Sequence, residues 1–279
     1  MSFLFADDTK VFTKSTDHTI LQQDLDSLLQ WSSDWQLHFN VDKCKVIHYG
    51  KKKPKHKYTM VTTQISQPLR VDLEEKDLGV LFDEDLKFRK HVGAICNKAN
   101  RMIGLVRRTF KYMDKEIFLT LFKSMIRPHV EYACTVWDPL LKGDIKQIEK
   151  VQRRATKLLK EIKDDPYPER LKYLRLPSLT FRRLRSDMIQ TFKILKGFDD
   201  MEPSILFKMD PNRNTRGHSL KLSKQCNRTT IRNHFFSQRV INPWNSLPQE
   251  VVDAESINSF KGKLEKHWAE HPLRYNPPD

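Results

Sequence analysis

Two adjacent carboxylates near the amino end, Asp7 and Asp8, form the constellation in this sequence with the most specific chemical reading. They stand in Phe3-Leu4-Phe5-Ala6-Asp7-Asp8-Thr9-Lys10-Val11-Phe12, with apolar residues on both sides. That pattern predicts a tight β-hairpin with the carboxylates at its tip. Paired carboxylate oxygens suit a hard divalent cation such as Mg2+, which takes oxygen ligands in near-octahedral geometry. Two such ions about 4 Å apart activate a hydroxyl nucleophile and steady a leaving pyrophosphate. Read alone, however, an Asp-Asp-Thr string is more often simply a turn.

A second metal-like string, His267-Trp268-Ala269-Glu270-His271, fits H-x-x-E-H and can place two imidazoles on one helix face. Pro272 follows at once and no third ligand is evident, so it reads as the polar face and frayed end of a terminal helix. Cys44, Cys96, Cys134 and Cys226 are far apart and form no C-x-x-C pair. That usage predicts a reduced, intracellular chain rather than a disulfide scaffold. No run approaches the ~18 to 20 apolar residues of a membrane span. The opening residues turn acidic too soon for a secretory signal.

The elements that must position Asp7 and Asp8 are legible in outline. Thr16 or Asp17 can cap a helix carrying Ile20, Leu21, Leu25, Leu28, Leu29, Trp31, Trp35 and Leu37 at helical spacing. Short extended pieces are expected at Lys45–Tyr49, Tyr58–Thr63 and Leu78–Phe82, with a turn-like basic stretch, Lys51-Lys52-Lys53-Pro54-Lys55, between the first two. Beyond residue 86 the pattern becomes helical, over Phe88–Phe110, Lys115–Val136, Asp144–Ile162, Pro168–Leu174 and Ser178–Leu195. Pro128 should kink or divide the second of these. Residues 197–227, with Pro203, Pro211 and Gly217, read as a linker or loop, and 228–279 as a C-terminal helical region ending in a helix near Ser256–His267.

Charge is unevenly placed along the 279 residues. The chain carries 50 Lys and Arg against 35 Asp and Glu, a net +15, while residues 1–90 are neutral with 14 of each sign. Most of the excess lies in 91–196, where 24 basic residues face 11 acidic ones. So positive a segment favours a polyanion as partner, nucleic acid above all, with affinity that falls steeply with salt.

Phe5-Ala6-Asp7-Asp8 resembles the aromatic-x-Asp-Asp palm motif of reverse transcriptases. The downstream text is similar to non-LTR retrotransposon polymerases of the jockey and chicken-repeat-1 type. The matching strings are Asn40-Val41-Asp42-Lys43-Cys44-Lys45, Asp77-Leu78-Gly79-Val80-Leu81-Phe82, Ile126-Arg127-Pro128-His129-Val130-Glu131-Tyr132-Ala133, Val151-Gln152-Arg153-Arg154-Ala155-Thr156 and Asn242-Pro243-Trp244-Asn245-Ser246-Leu247-Pro248. The resemblance implies an α/β fold: a truncated polymerase palm over 1–86 (β-hairpin, helix, short strands), followed by a mostly α-helical, thumb-like basic region over 87–196. It implies Asp7 and Asp8 as ligands of catalytic Mg2+, and Lys43 near the departing pyrophosphate. Leu78, Gly79 and Val80 match a primer-gripping hairpin. Arg101, Arg107, Arg108, Lys150, Arg153, Arg154, Lys157, Arg182 and Arg183 fall where the backbone of an RNA–DNA or DNA duplex would lie, with dNTP as substrate of the parent enzyme.

The resemblance also implies that fingers and most of the palm, with a further catalytic Asp, should precede the Asp-Asp hairpin. Met1 stands only four residues before Phe5. The expectation is therefore a C-terminal fragment of an RNA-directed DNA polymerase, inactive alone because its two-metal site lacks a carboxylate. The other reading is a stand-alone nucleic-acid-binding module derived from the thumb. Reading the same pieces as a metal-dependent hydrolase finds no supporting acidic or His cluster.

Overall fold

The structure, a computed structural model, describes residues 2–6, 8–14, 16–50, 56–62, 65–211 and 217–278. It is mixed α/β and divides into two units, Met1–Leu86 and Lys87–Asp279.

The first unit is built from paired short strands and one long helix. Strands β1 (Ser2–Phe5) and β2 (Asp8–Val11) form an antiparallel hairpin with Phe5 opposite Asp8. Helix α1 (His18–Asp34) follows, then a 3-10 turn at Val41–Lys43 and strand β3 (Lys45–Val46). A hairpin of β4 (Thr59–Thr62) and β5 (Ile65–Pro68) comes next, then β6 (Arg70–Val71), which pairs in parallel with β3. A final hairpin joins β7 (Glu74–Asp77) to β8 (Val80–Asp83). Leu21, Leu25 and Leu29, four apart on α1, share one helix face and pack on Val41, Tyr58, Met60 and Leu69. Gln22 locks this contact: its amide donates to the Thr59 carbonyl at 2.9 Å and accepts from the Thr59 N–H at 3.1 Å. Asp17 occupies the cap position of α1, but its side chain makes no capping hydrogen bond. The aromatic side chains of Phe3 and Phe5 on β1 are more than half exposed.

The second unit is helical. Helix α2 (Arg89–Thr109) buries Val92, Ile95, Cys96, Ala99, Ile103 and Val106 along one stripe. The expected long helix from Lys115 is broken into α3 (Lys115–Leu121), a π-helical turn at Phe122–Ile126, α4 (Arg127–Glu131) and α5 (Cys134–Trp137). The cause is Pro128, which lacks an N–H and whose ring would strike the carbonyl four residues back; the widened turn just before it removes the clash. Ala133, at φ 51°, then separates α4 from α5.

Helix α6 (Lys142–Thr156) packs on α2, and α7 (Tyr167–Leu174) packs on α6. Helix α8 (Leu179–Leu195) is capped by Ser178, whose hydroxyl accepts from the Phe181 N–H at 3.0 Å. Buried Glu149 adds a second cap, accepting from Leu179 N–H at 3.1 Å and from the Tyr167 hydroxyl at 2.5 Å. Four short helices, α9 (Thr230–His234), α10 (Phe236–Arg239), α11 (Ile241–Asn245) and α12 (Gln249–Val252), lead to α13 (Ile257–His267). Phe192, Trp244, Phe260 and Leu264 form the centre of the core that α8, α11 and α13 share.

The described parts of the 197–227 segment hold one 3-10 turn, Pro203–Ile205, and are otherwise irregular, yet they are joined to that core. Phe207 and Leu222 are buried in it, and Met209 and Leu222 form a β-bridge. The apolar residues in this stretch are too sparse to show periodicity, which is why the pattern reads as a connector. At the other end, His271 of the H-x-x-E-H string packs on Phe181 and Trp268 rather than facing a ligand set.

Candidate functional site

In the first unit, three motif pieces meet around one strand. Asp7 lies outside the described residues, as does the basic stretch 51–55. Asp8 is exposed at the start of β2. Two residues on, Lys10 forms an ion pair with Asp77 at the end of β7. Lys45, two residues past Lys43, pairs with Glu75 at 2.7 Å and with Asp72 at 3.5 Å. The Glu75 hydrogen bond raises the Lys45 ammonium above its ordinary pKa. Glu75 and Asp77 are two apart on β7, so they share one face of the strand. Lys43 is exposed at the end of its 3-10 turn, which buried Val41 anchors to the core.

Both hairpin tips carry left-handed backbone. Ala6 has φ 51°, and the two-residue turn between β7 and β8 has Leu78 at 42° and Gly79 at 86°. Two consecutive positive φ angles are what a tight type I′ hairpin needs, because its twist matches that of the flanking strands. Gly79 accepts that geometry without a Cβ clash; Ala6 and Leu78 hold it at a cost of about 1–2 kcal/mol each. Val80 is buried and fixes the turn to the unit, while Leu78 points outward, half exposed.

In the second unit, the cationic residues fall into an exposed set and an internal set. Arg101, Arg107 and Arg108 on α2, and Lys150 and Arg154 on α6, are exposed, as is Lys157 just beyond α6. The two helices pack together, and Arg154 Nη1 donates to Asn100 Oδ1 at 3.1 Å across their seam. Asn97, Asn100 and Arg101 line a shallow depression beside it. Arg153 instead lies over the Tyr167 ring, 4.9 Å from its centre.

Arg182 and Arg183 do not belong to an open phosphate-binding face. Arg182 grips Glu131 with two hydrogen bonds, one from Nη2 at 2.9 Å. Arg183 is only 3% exposed and donates to Asp138 at 2.7 Å. Asp138 also takes His234 at 3.2 Å, and neighbouring Asp187 takes Arg239 in a bidentate pair at 2.8 and 2.9 Å. Burial pushes the Asp187 carboxyl up to about 6 despite Arg239. Burial also opposes ionisation of Asp138, but the His234 hydrogen bond and Arg183 hold its pKa below the ordinary value. These charges knit α5, α8 and α10 together and are structural. The role expected for Arg183 in phosphate contact is therefore corrected: a guanidinium this deeply buried and paired cannot reach a phosphate.

Among the described residues, no group of three or more His, Cys, Asp or Glu could hold a metal ion, and no helix is long and apolar enough to cross a membrane. Reasoning from sequence alone missed Asn100 and Glu75, and gave Asp77 a place in a matching string but no role. The acidic run Glu74-Glu75-Lys76-Asp77 before Leu78-Gly79 carried the signal for Glu75 and Asp77.

The chain is 26% identical over 171 residues to the RNA-directed DNA polymerase from mobile element jockey of Drosophila melanogaster, covering 58% of this chain and 18% of that protein. It is 25% identical over 172 residues to the jockey polymerase of Drosophila funebris, with the same shares covered. A probable RNA-directed DNA polymerase from transposon X-element of D. melanogaster is 26% identical over 137 residues, covering 47% of this chain and 14% of that protein. The chain thus spans less than a fifth of the length of these curated relatives. No family model and no solved structure matches it. What these relatives share by name is RNA-directed DNA polymerase from a mobile element.

Proposed function

We propose that this chain is a segment of a non-LTR mobile-element RNA-directed DNA polymerase, and that its α2–α6 face follows the phosphates of a template–primer duplex. The observation that carries the reading is the cross-helix bond from Arg154 to Asn100, which fixes one guanidinium beside Arg101 on a face of exposed cations. A guanidinium already held in place loses less rotamer entropy on meeting a phosphate. The relatives' names, each an RNA-directed DNA polymerase, support the same substrate class.

Asp7 and Asp8 are, in this reading, carboxylate ligands for Mg2+. Their oxygen donors are of the kind that ion takes, and Asp8 is open to solvent. No third ligand stands with Asp8 among the described residues, so nucleotidyl transfer by this chain alone is not expected. Lys43 and the Leu78–Gly79 turn would lie along the primer, held to the Asp8 strand through β7 by Lys45–Glu75 and Lys10–Asp77.

A second reading, a nucleic-acid-binding module without catalysis, is supported by the second unit's own buried core around Trp244 and Phe260. Both readings require duplex contact. The test is the affinity of purified chain for a fluorescein-labelled RNA–DNA hybrid. Arg101→Ala and Arg154→Ala should each weaken it severalfold, and wild-type affinity in both variants would overturn the proposal.

A further inference from the structure

Between Asp210 and Glu250 the chain carries seven Lys and Arg residues and no Asp or Glu. Arg213 and Arg216 lie outside the described residues. Arg239 is turned inward to Asp187 and to the Thr135 carbonyl at 2.8 Å. Lys224, Arg228 and Arg232, by contrast, are exposed along the stretch that leads into α9.

That stretch is held in a fixed course by polar contacts on its inner side. Buried Gln238 accepts through Oε1 from the Gln225 N–H at 3.2 Å and from the Asn227 amide at 3.3 Å. Asn233 donates to the Asn227 carbonyl at 3.4 Å, and the Thr229 hydroxyl caps α9 by accepting from the Arg232 N–H at 3.3 Å. His234 turns inward to the Asp138 carbonyl at 3.0 Å.

The two phenylalanines that follow part company. Phe236 packs inward against Phe207, with ring centres 5.9 Å apart. Phe235, at the extended corner between α9 and α10, is 44% exposed and carries the Arg232 guanidinium 5.4 Å from its ring centre. One exposed ring alone is unremarkable on a protein surface. An exposed ring with a cation stacked on it, in a stretch without carboxylates, has the make-up of a base-stacking platform flanked by phosphate-neutralising side chains.

We infer that the segment Lys224–Phe235 binds single-stranded nucleic acid, with Phe235 and Arg232 stacking one unpaired base and Lys224 and Arg228 meeting the flanking phosphates. Paired bases keep their faces inside the helix, so a stacking platform selects unpaired strand. The site goes beyond the duplex contact proposed for α2–α6 and lies on different elements, so either can fail without the other.

The test is fluorescence anisotropy of the full chain with a labelled oligothymidylate of about 20 nucleotides, longer than the span one stacking module covers. The same chain is titrated with the RNA–DNA hybrid. Phe235→Leu keeps apolar bulk but no aromatic face, and should lower oligothymidylate affinity about tenfold while hybrid affinity stays within about twofold. Phe235→Trp should retain binding, and the Arg101→Ala/Arg154→Ala variant should leave oligothymidylate affinity unchanged while losing the hybrid. Wild-type oligothymidylate binding by Phe235→Leu, or equal losses on both ligands, would overturn the inference. Far-UV circular dichroism of each variant separates lost binding from lost fold.

Discussion

Lys10, on the strand that carries Asp8, is ion-paired with Asp77, the residue that enters the Leu78–Gly79 turn. Two hairpins 67 residues apart in sequence are thereby joined at their ends. Both side chains keep about 30% of their surface in water, so the pair supplies orientation more than stability. A double-mutant cycle with Lys10→Met and Asp77→Asn should give a coupling below about 1 kcal/mol in urea unfolding of the first unit. A coupling of several kcal/mol would mean that the pair is a main support of the fold.

The turn itself should be more sensitive. Gly79→Val places a branched Cβ at φ 86° and should destabilise the first unit by about 1–3 kcal/mol. Leu78→Asn should act in the opposite direction, by under about 1 kcal/mol, because Asn tolerates the left-handed region. Thermal unfolding followed at the first unit checks both signs.

Acid should weaken the second unit through His91. This imidazole is buried in the first turn of α2 against Trp137, and burial, with Lys98 adding to it, lowers its pKa to about 4 from an ordinary 6.5. The unfolded chain therefore takes up a proton that the folded chain refuses between those values, and stability falls as pH drops from about 6.5 to about 4. The loss is at most about 3 kcal/mol. Asp187, with its carboxyl raised to about 6, works against this: its folded form takes up the proton first, so its own contribution improves as pH falls through 6. Urea unfolding at pH 7 and pH 4.5 should show a smaller acid loss in His91→Phe than in the parent chain.

The arginines should separate into two kinds. Arg183→Ala removes the 2.7 Å guanidinium partner of Asp138, leaving His234 and the more distant Arg239 on that carboxylate, and should cost about 1.5–3 kcal/mol of stability. Arg101→Ala should leave stability within about 0.5 kcal/mol and act on binding. Charge counting could not have told them apart. Both Arg182 and Arg183 are drawn inward by acidic partners far away in sequence, Glu131 and Asp138, which a count of basic residues along α8 does not reveal.

That contrast marks how far the sequence carries the structure. Helix α2 lies one residue inside each expected end, and α8 and α13 begin one residue later than expected, because their apolar stripes are long and Ser178 and Ser256 announce their starts. The parallel pairing of Lys45 with Arg70 was hidden, since two-residue strands have no period to read. The pairing of β1 with β2 was legible from the apolar residues on either side of the turn. The link from Lys10 to Asp77 was not, because it depends on two distant turns closing against one another.

Primer extension gives a further check. With an RNA template, DNA primer, dNTPs and Mg2+ or Mn2+, the purified chain should extend no more primer than its Asp7→Asn variant. Extension above that control would show that the chain completes a metal site by itself.

The most direct test of the account is the salt dependence of RNA–DNA hybrid binding by the intact chain. If six cations, Arg101, Arg107, Arg108, Lys150, Arg154 and Lys157, each neutralise a phosphate, affinity should drop about 1,000-fold between about 50 and 200 mM salt. Replacing Arg101, Arg154 and Lys157 with Ala should cut the slope of log affinity against log salt roughly in half. A slope that survives those replacements, or an affinity indifferent to salt, would contradict a phosphate-following face on α2 and α6.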